Sequence, residues 1–266
     1  MATVDILIPT YNRPAALAVL LTSLYFQTYR HFRVIISDQS QDVSPFTQGE
    51  VQAVLRLLAQ FCPLLTLTNL PRQGIAQQRQ FLLEQASAPY VLFLDDDLIL
   101  EPYVLGNLLQ TLQAEQCGFV GNAVIGMSFL QDVRPHEQHL EFWDGPVQPE
   151  TVTPTTPAWQ RWRSHNAANL YHIQQRLGIS SERPRPYKVA WVSACVLYDR
   201  AKLLDCGGFS FWQRLPAAAS GEDVLAQLRV MARYGGCGLL PSGAYHQELP
   251  TTLSDRSQDA HRLLPL

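Results

Sequence analysis

Three carboxylates in a row, Asp95-Asp96-Asp97, follow directly on the apolar run Tyr90-Val91-Leu92-Phe93-Leu94. Carboxylates crowded at the end of a buried strand repel one another, and the placement is costly unless a cation sits among them. Hard oxygen ligands suit magnesium or manganese, ions that commonly bridge protein carboxylates and a diphosphate. The plainer alternative is a solvated turn whose acids face the start of the helix after Glu101-Pro102. A second acidic pair, Glu222-Asp223, follows the small-residue stretch Ala217-Ala218-Ala219-Ser220-Gly221 and opens a helical pattern carrying Val224, Leu228 and Met231 on one face. Such a carboxylate serves either as a helix cap or as a general base. Two further polar clusters, Pro9-Thr10-Tyr11-Asn12 and Ser37-Asp38, also end apolar runs. His246 lies in a polar loop beyond Leu239–Leu240, where a lone histidine is ordinarily just exposed. His136-Glu137-Gln138-His139 lacks the i, i+4 spacing of a helical zinc pair and reads as loop.

These clusters need elements to hold them, and the chain alternates strand and helix patterns to do so. Val4–Ile8 is a short apolar run ending at Pro9, and Asn12 is placed to cap a helix whose Leu17, Leu20, Leu21 and Leu24 fall at i, i+3, i+4, i+7. Val34–Ser37 is the next strand, followed by a helix with Val51, Val54, Leu55 and Leu58 on one face. Leu64–Thr68 is a third strand, with a helix over 75–86 after it. Tyr90–Leu94 is apolar on both faces, as a central parallel strand must be. A helix marked by Leu105, Leu108, Leu109 and Leu112 then leads to a strand over Phe119–Ile125. This alternation predicts an α/β fold, a doubly wound and mainly parallel sheet with helices on both faces. In such sheets ligands bind outside the carboxyl ends of the strands, where the polar clusters fall.

From Gly126 to Lys188 the periodicity dissolves. That stretch holds 7 of the 18 prolines, 3 of the 5 tryptophans and 4 of the 7 histidines, a composition for irregular backbone anchored by aromatic rings. Regular patterning returns as a strand over Val189–Tyr198, then Gly207-Gly208-Phe209, then the helix from Glu222. The chain therefore reads as one compact domain of two halves, 1–125 and 126–266, with an irregular insertion at 126–188. The short tail from Asp255 to Leu266 is expected to be mobile.

Length and composition narrow the classes. The chain has 266 residues, 47% of them hydrophobic and 16% charged, which excludes disordered and fibrous proteins. A net charge of −3 provides no field for a phosphate backbone, so nucleic acid is not an expected partner. No apolar run approaches the ~20 residues of a spanning helix. The start, Met1-Ala2-Thr3-Val4-Asp5, has no basic lead and its apolar stretch stops at Pro9, so the expectation is a soluble cytoplasmic protein. Five scattered cysteines without a CxxC pair fit the same compartment as free, buried thiols. Neither a GxGxxG nor a Walker A pattern is present, so a bound nucleotide would rely on a metal and not on a glycine cradle.

Taken together, the clusters resemble the inverting family 2 glycosyltransferases of the GT-A fold over about 1–125 and 189–250. The likeness rests on Pro9-Thr10-Tyr11-Asn12-Arg13, Gln27-Thr28-Tyr29, Ser37-Asp38-Gln39-Ser40, Gly74 with Arg79, Asp95-Asp96-Asp97, Gly207-Gly208-Phe209, Gly221-Glu222-Asp223 and His246. The resemblance implies a nucleotide-binding set of Pro9, Thr10, Tyr11, Asp38, Arg79, Asp95 and Asp96. Tyr11 would border a uracil-type base, Asp38 would accept a hydrogen bond from its ring, and Arg79 would reach the nucleotide. Asp95 and Asp96 would lie against ribose and metal-bound water. Asp97 would ligate manganese or magnesium, with His246 completing the metal and diphosphate site. Asp223 would be the general base and Glu222 would orient the acceptor. The chain departs from the family pattern at Gln39, where glycine is frequent, and at Gln80, where asparagine is usual.

The resemblance thus implies a hexosyltransferase-type enzyme moving a sugar from a nucleotide-diphosphate donor, UDP favoured, to an acceptor hydroxyl in polysaccharide, glycolipid or glycoconjugate synthesis. The acceptor would be a saccharide or a lipid-linked saccharide, and the latter would draw the enzyme to the cytoplasmic membrane face. Two alternatives share parts of this pattern. A sugar-1-phosphate nucleotidyltransferase should carry a glycine-rich basic loop where this chain has Pro9-Thr10-Tyr11-Asn12-Arg13-Pro14. A catalytically silent nucleotide-sugar-binding protein would tolerate loss of Asp223.

Overall fold

Successive residues of a strand face opposite sides, and here both sides are apolar. Val4, Ile6 and Ile8 enter one core while Leu7 enters the other, and Leu92 and Leu94 are separated from Val91 and Phe93 in the same way. A sheet so patterned must be covered on both faces, and the computed structural model shows how. It describes residues 2–251 and 258–266; Met1 and residues 252–257 lie outside the described part, as therefore do the first residue of the expected unprocessed start and the first three of the expected mobile tail.

The elements run β1 (Val4–Thr10), α1 (Pro14–Tyr25), β2 (Phe32–Asp38), α2 (Gly49–Leu58), β3 (Leu64–Thr68), α3 (Ile75–Gln85), β4 (Tyr90–Leu94), β5 (Leu98–Leu100), α4 (Val104–Glu115) and β6 (Phe119–Gly121). They continue as α5 (Asn169–Leu177), β7 (Arg185–Tyr187), β8 (Cys195–Asp199), α6 (Arg200–Asp205), α7 (Glu222–Tyr234), β9 (Gly236–Leu240), β10 (Ala244–His246) and α8 (Ala260–Leu263). The main sheet has the order β3-β2-β1-β4-β8-β6-β9-β7. The pairs β2–β3, β1–β2, β1–β4 and β6–β9 are parallel, whereas β8 runs against both β4 and β6 and β7 runs against β9. The sheet is thus mixed, with a parallel half built by the first four strands. Leucines of α1 and α4 cover one face; Leu82 and Leu83 of α3, Ile173 of α5 and Leu225 of α7 cover the other.

Several expectations change at this level. Asn12 does not cap α1: it takes the left-handed conformation at φ 54°, its N–H is donated to Ser40 Oγ at 2.9 Å, and Pro14 starts the helix. The strand expected over Phe119–Ile125 stops at Gly121, with Ile125 making a single bridge to Tyr245. The one expected over Val189–Tyr198 begins only at Cys195. Residues 126–188 are not merely a cover: they supply α5 and the edge strand β7, whose Tyr187 is fully buried. Residues 258–266 are folded onto the body of the protein, where Ala260 and Leu264 join the core. All five cysteines are free.

At the base of the sheet, Asp5 is fully buried and receives Arg33 through two bonds of 2.9 and 2.8 Å and the N–H groups of Ser87 and Ala88. This pair ties β1 to β2 and to the turn before β4. It fixes the end of the sheet opposite the polar clusters.

Candidate active site

The strand ends carry the chemistry. In the β1–β2 register, Thr10 lies opposite Asp38, and β4 runs out beside β1 into Asp95-Asp96-Asp97. A cleft of about 750 Å³ opens over these ends, within the range of ~300–1,000 Å³ usual for small-molecule sites. It is lined by Pro9, Thr10, Tyr11, Arg79, all three aspartates, Glu222, Asp223 and His246. Ten of the eleven residues singled out in the sequence therefore share one cleft. Asp38 stands just behind its wall.

Asp38 is fully buried. Its Oδ1 accepts the Ser40 N–H at 2.8 Å, while its Oδ2 is buried without any hydrogen-bond partner. A buried carboxylate oxygen left unpaired is costly, which sets this atom apart from the paired carboxylates of the cleft. Neighbouring amides are linked around it, with Gln39 donating to Gln77 and Gln77 exchanging bonds with Asn69. Tyr11 does not present a bare ring: the Arg72 guanidinium lies 3.9 Å from its centre. Arg72 lines the same end of the cleft and carries no signal in the sequence.

The deeper carboxylates are arranged by two arginines. Arg79, from α3, is nearly buried and bonds Glu222 through Nε and Asp95 through Nη2, both at 2.7 Å. Instead of leaving these donors free for a nucleotide, as expected, it spends them on joining β4 to the start of α7. Glu222 is likewise buried, at 4% exposure, with its Oε1 taken by Arg79 at the cleft wall. Gly74, before α3, has φ 96°, and a Cβ there would collide with the Ala217 carbonyl. Only glycine lets α3 and its arginine come so close to the loop before α7.

Asp223 is the second residue of α7, whose cap Gly221 takes the left-handed conformation at φ 69°. Its Oδ1 accepts the Val224 N–H at 2.8 Å. Burial, followed by the neighbouring Glu222 charge, pushes its carboxyl up to about 7, against the opposing pull of Arg79. A carboxylate poised near neutrality in a cleft has the properties of a general base. The preceding Ser220 is held from the C-terminal side, donating Oγ–H to Asp259 at 2.6 Å and accepting the Ala260 N–H through its carbonyl at 2.7 Å. Residues 258–266, within the tail read as mobile, thus buttress this site.

Asp96 accepts the Thr10 hydroxyl at 2.7 Å, so that hydroxyl is engaged inside the protein. Desolvation by burial raises the Asp96 carboxyl to about 7. Asp97 Oδ2 receives Arg13 Nη1 at 2.6 Å and stands 3.4 Å from His246 Nε2. His246 is not in a loop: it ends β10, and its pairing with Leu98 of β5 sets it beside Asp97. Two ligands each ~2.1 Å from a shared ion stand about 3.0–3.5 Å apart, so Asp97 and His246 fit a divalent cation in position. Among the described residues no group of three or more His, Cys, Asp or Glu could hold a metal. Further ligands would have to be water or substrate phosphate, as is usual for magnesium.

Trp162, Trp191 and His261 also wall the cleft. Trp162 and Trp191 are near-parallel at 18° with centroids 6.4 Å apart, and Trp159 packs behind them against Trp191 and His261. Trp191 and His261 were not legible as site residues. The His136–His139 loop stays out of the cleft, where Glu137 accepts from Asn166 and Asn169.

A mixed sheet covered by helices on both faces, with its polar clusters at the strand ends, is a GT-A-like fold. The glycosyl transferase family 2 model matches residues 5–175, more than half of the chain, and the chain belongs to that family. It is 31% identical over 109 residues to a glycosyltransferase of Haemophilus influenzae, covering 41% of this chain and 34% of that one. It is 28% identical over 125 residues to the GalNAc(5)-diNAcBac-PP-undecaprenol β-1,3-glucosyltransferase of Campylobacter jejuni, covering 47% and 39%. The matched segment thus spans little more than a third of these curated relatives. Among solved structures, Staphylococcus aureus TarS 1-349 in complex with UDP-GlcNAc aligns over 95% of this chain and 60% of its own, with TM-score 0.57 and 17% identity. The Pyrobaculum calidifontis mannosyltransferase PcManGT in complex with GDP-Man and Mn2+ aligns over 89% and 56%, with TM-score 0.51 and 17% identity. What these comparisons show is the family and the fold.

Proposed function

We propose that the chain catalyses a single displacement with inversion, moving a sugar from a UDP-sugar to an acceptor hydroxyl with a divalent metal ion. The observation that carries this is the placement of Asp223, tuned near neutrality, in the same cleft as Asp95-Asp96-Asp97. Asp223 takes the proton of the attacking hydroxyl. Attack on the anomeric carbon from the side opposite the diphosphate inverts its configuration, and no covalent enzyme nucleophile is required. Asp97 and His246 would hold manganese or magnesium, which when bound would supply Lewis-acid stabilisation for a departing diphosphate. Arg79 positions Asp95 and Glu222, and Glu222 keeps the Asp223 carboxyl basic through its charge.

The half over 1–125 binds the nucleotide sugar, with the orphan Asp38 Oδ2 accepting from the base. UDP as the nucleotide is in keeping with the UDP-GlcNAc complex of the structurally similar TarS. The half over 126–266 faces the acceptor, and the Trp162–Trp191 wall suits the apolar face of a sugar ring. A saccharide carried on a lipid is consistent with the polyprenyl-linked acceptor in the name of the Campylobacter relative. No helix among the described residues is long and apolar enough to cross a membrane. A lipid-linked acceptor would then be met at the cytoplasmic membrane face, without insertion of a helix.

Calorimetric titration of UDP, with and without manganese, into wild type and Asp97→Ala tests this reading. Manganese-dependent UDP binding that is lost in the variant is the expected result. Binding of GDP or dTDP in place of UDP would change the donor, and no nucleotide binding under any condition would overturn the reading.

A further inference from the structure

The site proposed for the divalent cation already contains a cation of the protein's own. Arg13 Nη1 lies 2.6 Å from Asp97 Oδ2 and 3.5 Å from Asp96 Oδ1, and Nη2 donates to the Pro250 carbonyl. The guanidinium is therefore fixed between β1 and the segment after β10, and its side chain is only 15% exposed. On the other side of the same oxygen, His246 Nδ1 accepts the Glu248 N–H at 2.7 Å, which leaves the proton of a neutral ring on Nε2, facing Asp97. Asp97 Oδ2 thus faces two N–H groups. A metal ligand must offer lone pairs, and a ligating histidine normally gives its other ring N–H to an acceptor. The residues stand where a metal needs them, but their protons are arranged for a site without one.

We propose that Arg13 is the resident counter-cation of the Asp96–Asp97 pair and that it and the divalent ion exclude one another. This rests on the assignment of Asp97 and His246 as the metal-binding pair. Oδ2 already holds Nη1 at 2.6 Å and faces His246 Nε2 at 3.4 Å, so a metal at coordinating distance would lie directly against the guanidinium charge. Two cations on one partly buried carboxylate oxygen repel each other strongly, so entry of the metal drives the guanidinium out. Metal alone gains little by this exchange of one cation for another. Metal arriving with a nucleotide diphosphate brings its own oxygen ligands, and the displaced guanidinium then meets added negative charge. Arg13 in this way makes metal binding conditional on the donor, and by linkage the donor's affinity rises with metal by the same factor. The resting site stays neutralised without capturing free metal.

The test is manganese binding, followed by the electron paramagnetic resonance of free manganese and by calorimetry, in wild type, Arg13→Ala, Arg13→Gln and Asp97→Ala. Without nucleotide, Arg13→Ala and Arg13→Gln are expected to bind manganese at least tenfold more tightly than wild type. On adding UDP, wild type should gain more manganese affinity than either Arg13 variant, which has less to gain. Thermal melts verify that each variant is folded, and two different replacements guard against the loss of one. Manganese affinity equal to wild type in the folded Arg13 variants, or weaker, overturns the proposal while leaving the metal site in place. Manganese binding unaffected by Asp97→Ala overturns the metal-ligand assignment itself, and the proposal with it.

Discussion

Replacing Asp223 by Asn should make the protein more stable and nearly inactive, and the first effect should depend on pH in a calculable direction. The Asp223 carboxyl is raised from 3.8 to about 7, chiefly by burial and then by Glu222. A group whose affinity for protons rises on folding binds more protons folded than unfolded between about pH 4 and pH 7. Stability therefore falls as pH rises through that window, and the full penalty is present above 7. Each pH unit is worth about 1.4 kcal/mol, so a rise from 3.8 to about 7 is a penalty of roughly 4 kcal/mol. Asn cannot ionise and escapes it. Because about 1 kcal/mol moves the melting temperature of a domain near this size by roughly 2–4 °C, Asp223→Asn should melt several degrees above wild type at pH 8. Near pH 4 the two should converge. Release of UDP from a UDP-sugar, with water as acceptor, should fall by about 10²–10⁴ in the variant. In wild type that rate should climb with pH to a plateau above about 7, as the base loses its proton. A melting difference that is the same at pH 4 and pH 8, or a variant that turns over like wild type, refutes this account of Asp223.

Asp38→Asn removes the charge of the unpartnered Oδ2 while keeping a side chain able to serve Ser40, and should weaken UDP binding about 10- to 100-fold by calorimetry. Unchanged affinity would mean that Asp38 does not meet the base. Asp5→Ala strands Arg33 beside the sheet and should cost about 3–5 kcal/mol, measured by urea unfolding. Burial alone would raise the Asp5 carboxyl, but Arg33 and the Ser87 and Ala88 N–H groups hold it below its ordinary 3.8. Its contribution in wild type should accordingly be present above about pH 4 and be lost as pH falls through the lowered value.

Periodicity was a faithful guide where an element's pattern is local. Leu64–Thr68 and Tyr90–Leu94 are strands with the bounds expected, and the helices with leucines at i, i+3, i+4, i+7 formed because those leucines have a sheet face to cover. It misled where the outcome depends on a partner distant in the chain. The apolar run before Cys195 reads as strand, yet only 195–199 finds β4 and β6 to pair with, in the reverse direction. Asn12 is of a helix-capping type, but its left-handed backbone is tied to Ser40 across the loop and Arg13 takes the position before Pro14.

The sequence by itself determined the α/β class, the positions of the polar clusters at strand ends, and the residue types able to bind a nucleotide and move a proton. Those follow from alternation and spacing, which are properties of neighbouring residues. What each residue is free to do was decided by tertiary structure. Arg79 is spent on Asp95 and Glu222, Arg13 on Asp97, and Arg72 on Tyr11, while Asp38 alone among these keeps an unclaimed buried oxygen. His246 reaches Asp97 only because β10 pairs with β5, and Ser220, next to the Gly221-Glu222-Asp223 turn, is held by Asp259 and Ala260 from the end of the chain. Charges far apart in sequence meet only once the sheet has formed, and their meeting sets protonation, pairing and availability.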